Sequence, residues 1–241
     1  GVSMTGIGSA AVLQMDMRVA ANIVKSENSR VSKLIGINEA ARTTCVKPAG
    51  TTSLVLGTSS GIHAWHNDYY VRRLRVGKNE AIWKYLSEQH PDIVEDDYFR
   101  SHDTAVISIP QKAPEGSILR TESPMDLLER IKLVATDWVS PGHRAGSNSH
   151  NVSATVSIKD DMWDEVGEWM WKNRDYYNGL SVLPHNGGTY KQAPFEDITK
   201  AKYDELVKTL HKIDLTKVIE LDDNTDLSGE LACAGGACEI I

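Results

Sequence analysis

Within NVSATVSI the side chains alternate without a break, Val152, Ala154, Val156 and Ile158 on one side of an extended chain and Ser153, Thr155 and Ser157 on the other. A strand with one apolar face and one face of small hydroxyls suits the wall of a polar cavity. A little upstream, SPMDLLERIKLVATDW carries a helix start, with Ser123 as cap, Pro124 in the first turn and Asp126 three residues on. Leu127, Ile131, Val134 and Trp138 then recur at helical spacing, so this helix buries one face. Strand-like and helix-like stretches alternate along the rest of the chain without an internal repeat, and the expected fold class is α/β.

The other segments are read in the same way. GVSMTGI is apolar and strand-like, SAAVLQMDMRVAANIVKS reads as a helix ending near the polar ENSR, and YYVRRLRV and TAVISIP read as strands, the second stopped by Pro110. NEAARTTCVKPAGTTSLVLGTSSGIHAW is loop chemistry mounted on two buried stretches, TTCV and SLVLG. DDMWDEVGEWMWKNRDYY looks helical, with Trp163, Val166 and Met170 on one face and its tryptophans, Trp163, Trp169 and Trp171, read as packing. SVLPHNGGTYKQAP reads as a Pro/Gly loop. YDELVKTLHKI places Tyr203, Leu206, Val207 and Leu210 on one face of a last helix. From about Glu220 the chain is acidic, polar and aperiodic, which predicts a flexible arm.

With 26 Lys and Arg against 33 Asp and Glu, the net charge of -7 and the lack of a basic block argue against general polyanion or direct nucleic-acid binding. One phosphorylated small molecule needs only a local nest of donors and stays open. No apolar run approaches the ~20 residues of a membrane span and no leader opens the chain, so no membrane partner and a cytoplasmic location are expected. Because it starts at Gly1 on a strand-like stretch, the chain reads as the C-terminal piece of something longer.

Three cysteines are too few for a disulfide scaffold. Two of them, Cys233 and Cys238, flank Ala-Gly-Gly-Ala near the end, where the glycines let the chain double back and bring the thiols together. A loop so short gains little from closure, so the pair is a poor staple. It suits thiol exchange, which needs access as well as thiolate. A half zinc site completed from elsewhere and an incidental pair are the other readings. The third thiol, Cys45, is expected in the core.

The Thr/Ser/Gly loop offers Lys47, a Pro48-Ala49-Gly50 turn, then Thr51, Thr52 and Ser53. Backbone approach at Gly50, the hydroxyls and N–H groups at a helix start could attract an anion, although GxxxxGK[ST] is absent. A plain Ser/Thr-rich turn would look the same. TGIGSAA imitates a dinucleotide fingerprint but lacks a full strand before it and an acidic residue about twenty positions on. His63 and His66 have neither a nearby carboxylate nor a third histidine, so loop and core roles outweigh metal ligation. Arg73 and Arg75 share a strand face and would hold a phosphate or pair with carboxylates.

Taken in order, CVKPAGTTSLVLGTSSGIHAWHNDYYVRRLR, HNVSATVSI, SVLPHNGGTYKQAP and CAGGAC closely resemble the C-terminal part of adenosylcobalamin-dependent (class II) ribonucleotide reductases of the monomeric ribonucleoside-triphosphate type. The resemblance covers essentially the whole chain. It implies part of a ten-stranded α/β barrel over residues 1–219 and a redox-active tail over 220–241. It implies adenosylcobalamin as cofactor and a ribonucleoside triphosphate as substrate, bound through Ala49, Gly50, Thr51, Thr52 and Ser53, with Lys47 a weaker addition. In that family a cysteine thiyl radical abstracts the substrate's 3′ hydrogen, the 2′ hydroxyl leaves as water and an active-site thiol pair is oxidised. The tail dithiol, here Cys233 and Cys238, reduces that pair and is in turn reduced by thioredoxin. The radical cysteine, its carboxylate and the reducible pair lie upstream in the family, so this chain would need an N-terminal part to act. The competing readings are a non-catalytic module that assembles with a separate partner chain, and a zinc-binding tail. Thiol titration with thioredoxin, its reductase and NADPH is expected to show Cys233 and Cys238 cycling between disulfide and dithiol; inert or zinc-loaded thiols would make the tail structural.

Overall fold

The computed structural model of the chain describes residues 1–185 and 190–220, with the side chain of residue 160 left aside. In chain order it contains β1 (Val2–Ser3), α1 (Met17–Ile35), β2 (Thr44–Cys45), α2 (Gly50–Leu56), β3 (Tyr69–Gly77), α3 (Ala81–Gln89), β4 (Val94–Asp96) and β5 (Thr104–Lys112). There follow α4 (Pro124–Val134), β6 (Thr155–Ile158), α5 (Trp163–Lys172), β7 (Ser181–Pro184), β8 (Phe195–Asp197) and α6 (Lys200–Thr209). These fall into two compact units, residues 1–65 with 114–185 and residues 66–113 with 190–220. The tail expected at 220–241, with Cys233 and Cys238, lies outside the described residues apart from Glu220.

The strand pairs of the first unit are parallel. Val2 and Ser3 of β1 pair with Thr44 and Cys45 of β2, Val46 just beyond β2 bridges Val152, and β6 pairs residue for residue with β7. Val152, Ala154, Val156 and Ile158 are all buried, as the alternation requires, and the capped helix α4 covers them. Ser123 and Asp126 form a complete capping box, and Leu127, Ile131 and Val134 face inward. Trp138 does too, but from a π-helical turn over Ala135–Val139 in which Ser140 N–H reaches back to Ala135 O. That turn leaves Trp138 O to accept from Thr44 Oγ1 at 2.7 Å, while the Trp138 indole donates to Cys45 O at 2.9 Å.

The second unit is an antiparallel sheet in the order β4-β5-β3-β8. Val76, Leu86, Ala105 and Ile107 form its small core with side chains of α3. Arg73 pairs with Glu196 and Arg75 with Asp97, so both arginines meet carboxylates rather than an open anion site. Burial pushes the Asp97 carboxyl up, yet N–H bonds from Arg100 and Phe99 and the Arg75 guanidinium outweigh it and hold the group below the usual carboxylate range.

Several sequence expectations change. Sequence places the first helix from Ser9 to about Ser26. Instead two 3₁₀ turns, Ile7–Ser9 and Ala11–Gln14, come first, and α1 starts only after Asp16, whose carboxylate accepts the Val19 N–H. It runs through ENSR, where Glu27 and Arg30 pair across one turn, and stops at left-handed Gly36. SVLP, expected as loop, is β7: its Pro184 ends the edge strand of a two-stranded pair, where a missing N–H costs no ladder bond. Pro110 likewise does not stop β5, since β4 reaches only to Ile107 and Pro110 lies past it opposite Val71. Of SLVLG, expected buried, only Ser53 is; Leu54, Val55 and Leu56 are exposed, with Val55 81% accessible. On α5 the inward residues are Val166 and Trp169, whose indole donates to Glu129, while Trp163 and Trp171 are exposed. Cys45 is half-buried rather than core. The described strands form sheets of two, four and two members, and none of these closes into the expected barrel.

Arg130 on α4 joins helix and loop: its Nη1 and Nη2 each meet a Glu122 carboxylate oxygen at 2.6 Å, and Nη2 also reaches Ile62 O at 3.4 Å. With side chains 7% and 13% exposed, this is a buried pair, and losing one partner strands the other charge. Arg130→Met should therefore cost about 3–5 kcal/mol in urea unfolding, and adding Glu122→Gln should recover most of it; an unchanged midpoint in the single variant would show that the charge is solvated.

Candidate functional site

The loop after β2 leaves the carboxyl end of the parallel strands and turns into a helix, the position at which open α/β sheets commonly bind ligands. Its floor is the β2–Val46 segment, tied to the strand beside it by Val46 N–H to Asn151 O at 3.2 Å and Ser153 N–H to Val46 O at 2.9 Å. This register puts Lys47 next to the hydroxyl face of the 152–158 segment, and Lys47 Nζ donates to Ser153 Oγ at 3.0 Å. The Lys47 N–H donates to Ser3 Oγ at 2.9 Å, fastening the loop's start to β1.

The five candidate residues follow at once, and the structure divides their roles. Ala49 is the N-cap of α2 without a side-chain cap; its own N–H is held by Ser60 Oγ at 2.9 Å. The first helical bond is Ser53 N–H to Ala49 O at 3.1 Å, so the N–H groups of Gly50, Thr51 and Thr52 stand ahead of the ladder. Thr51 and Thr52 are exposed. Ser53 is buried, and its hydroxyl turns back to Gly50 O at 2.9 Å, so it serves the helix rather than the loop mouth.

Most of the neighbouring hydroxyls hold the loop together. Ser9 Oγ accepts from the Ser59 N–H and the Trp65 indole, which fills its two lone pairs and makes it the donor in the 3.0 Å bond to Thr58 Oγ1. Thr5 Oγ1 donates to Ser59 O and accepts from the Gly61 N–H. The TGIGSAA stretch is thus a docking strip for the 58–65 segment, and Gly8 is required because a Cβ there would overlap the His63 carbonyl. That close approach, not a cofactor, accounts for the fingerprint-like glycines.

His63 is half-buried and doubly bonded: Nε2 accepts from the Thr155 N–H at 3.1 Å and Nδ1 lies 3.3 Å from Ser60 O. Burial pushes its pKa below the usual 6.5, the Ser60 carbonyl raising it only in part. In the other unit, His66 stacks on Phe195 at 4.8 Å and pairs with Asp197 at 2.8 Å. Among the described residues no three His, Cys, Asp or Glu side chains gather as a metal site.

No protein-family model matches the chain. Curated relatives do. An adenosylcobalamin-dependent ribonucleoside-triphosphate reductase of Lactobacillus leichmannii is 28% identical over 232 residues, covering 90% of this chain and 29% of its own length. One from Euglena gracilis is 26% identical over the same coverage. This chain matches the C-terminal portion of such reductases. It spans about 28% of the length of the curated relatives it matches. A solved B-12 dependent (class II) ribonucleotide reductase shares its fold, with a TM-score of 0.68 and 22% identity over 87% of this chain and 33% of that one.

Sequence reading found the loop but missed the hydroxyl stitching and the His63 bridge. Their signal is present in the density of Ser and Thr on both 5–9 and 58–60, the first of which reads as an imitation of a dinucleotide fingerprint and the second as part of a Ser/Thr-rich loop. At Gly61 the backbone is left-handed (φ +56) and a Cβ would lie 2.7 Å from the Lys47 carbonyl. Gly61→Ala should therefore destabilise the first unit by more than the ~1–2 kcal/mol of left-handed strain alone, read as a lowered urea midpoint; an unshifted midpoint would mean that Lys47 and Gly61 separate freely.

Proposed function

We propose that the chain is the C-terminal portion of an adenosylcobalamin-dependent ribonucleoside-triphosphate reductase, supplying the substrate-phosphate loop and the reducing tail. The observation that carries this reading is the match over 90% of the chain to reductases of that name, together with a loop that opens at the carboxyl end of parallel strands. The parallel strands of the first unit would be this chain's share of the ten-stranded barrel, to be closed by strands from the N-terminal portion.

In the loop, the N–H groups of Gly50, Thr51 and Thr52 and the Thr51 and Thr52 hydroxyls act as donors to the triphosphate. Ala49 and Ser53 shape the turn, and Lys47, held at Ser153, adds positive charge at its edge. The tail acts by exchange: a Cys233 or Cys238 thiolate attacks the oxidised active-site pair, a mixed disulfide forms, and the second tail thiol displaces it. The active-site dithiol is restored and the tail is left as a disulfide for thioredoxin to reduce. Cys45, the remaining thiol, is half-buried beside the loop and takes no part.

Adenosylcobalamin would supply the radical when bound. The groove of about 460 Å³ along α1 does not fit it, being open and lined only by that helix, through Val19, Asn22, Ile23, Ser26, Glu27 and Arg30.

The test is reconstitution. Joined to the N-terminal portion of a relative, the chain should reduce ribonucleoside triphosphates in the presence of adenosylcobalamin. With Cys233→Ser the first turnover should persist while thioredoxin-driven multiple turnover is lost. Full multiple turnover in that variant would remove the tail from the mechanism, and no reduction by the wild-type assembly would remove the reductase reading.

A further inference from the structure

The bonds that anchor the loop converge on one side chain. A backbone N–H can only donate, so the 3.1 Å contact from Thr155 fixes His63 Nε2 as the acceptor and leaves the ring proton on Nδ1, facing Ser60 O at 3.3 Å. Ser60 in turn holds the Ala49 N–H through its Oγ at 2.9 Å. An unbroken path therefore runs from the first residue of β6, through the imidazole and Ser60, to the residue that begins α2.

We propose that His63 is the positioning residue of the phosphate loop: a neutral imidazole with its proton on Nδ1 clamps Ser60 to Thr155 and so sets where Ala49 and the N–H groups after it point. The functional consequence rests on the reading of residues 49–53 as a triphosphate site; the clamp itself does not. Protonation puts an N–H at Nε2 against the Thr155 N–H, two donors face to face, and that bond cannot survive. The clamp opens and the loop loses its fixed geometry. The charged groups that face the ring are Arg130 of α4 and Glu122 just before it, and they neutralise each other as a bidentate pair. Burial is then the main force keeping the ring neutral.

The sign of the pH dependence follows. The folded pKa lies below the unfolded 6.5, so the unfolded chain takes up the proton first. The stabilisation is complete above about pH 6.5 and declines as the pH falls through that value toward the folded pKa.

The experiment is NMR of the ¹⁵N-labelled chain, following the His63 ring nitrogens and the amides of Gly50, Thr51 and Thr52 from pH 7.5 to 5, with tripolyphosphate as the anion probe. The ring should be protonated on Nδ1 at neutral pH and titrate below 6.5, and the loop amides should shift with the same midpoint. Affinity for tripolyphosphate should fall by about fivefold across that midpoint, the worth of one hydrogen bond, beyond the fall seen in His63→Gln, which controls for protonation of the anion. Ser60→Ala, which keeps His63 but removes the hydroxyl that holds Ala49, should leave the ring titrating while its effect on the loop amides disappears. A ring protonated on Nε2 at neutral pH, or loop amides that stay fixed while His63 titrates in the wild type, would overturn the proposal. Absence of tripolyphosphate binding at every pH would overturn the phosphate reading instead, and the coupled shifts would still decide the clamp.

Discussion

A single parallel bridge, Val46 opposite Val152, is what the candidate site depends on. The two residues are more than a hundred positions apart in sequence, and both are buried. Once their backbones are paired, Cys45 and Lys47 on one side and Ser153 on the other have no choice of neighbour, because side chains alternate strictly along each strand. The apolar members go down into the layer covered by α4, and Lys47 and Ser153 come up together. A slip of one residue would turn Val152 and Val156 outward and bury Ser153 and Thr155, which is why the apolar face fixes the register and the register places the polar site.

Above that bridge the loop is organised by hydroxyls rather than by a core. The segment 58–65 has few apolar side chains beyond Ile62 to hold it, and its backbone groups are satisfied by Thr5, Ser9 and the 6–9 turns. Each bond is worth only about 0.5–1.5 kcal/mol net, but every one left unmade would strand a buried donor or acceptor. The result is a turn whose shape is over-determined while its outermost residues, Thr51 and Thr52, remain exposed. Rigid support beneath and open donors above is the arrangement an anion site needs, since a loop ordered in advance loses less entropy when the ligand arrives.

Sequence patterns carried the parts of this architecture that are local. The Ser123 cap with Asp126 is complete within four residues, and the alternation of 152–158 requires only that one face be buried. What sequence left hidden depends on partners far along the chain. Residues 9–14 have helical composition, yet Ser9 is bonded to Thr58, Ser59 and Trp65, and those bonds hold the chain in short turns until Asp16 can start α1. SVLP resembles a loop because Pro184 and the glycines after it dominate the composition, and only the presence of β6 makes it a strand. His63 reads as a loop or core histidine, but nothing near it in sequence announces that Thr155 supplies its partner.

The apolar residues that the structure leaves exposed point the other way, toward what the chain lacks. Leu54, Val55 and Leu56 form an uninterrupted exposed run on α2, and Val19, Ile23 and Leu34 are exposed on α1. A folded surface tolerates scattered apolar side chains, but a contiguous run beside a polar loop is unusual unless something covers it. Sequence periodicity records burial in the protein for which a sequence was selected, and the relatives are more than three times longer than the stretch matched here. If this chain is the C-terminal portion of such a reductase, Leu54, Val55 and Leu56 mark where residues outside the chain would pack. The same reasoning explains why the 47–53 loop, whose supports lie within residues 1–65 and 114–185, is fully built here although no described sheet closes into a barrel.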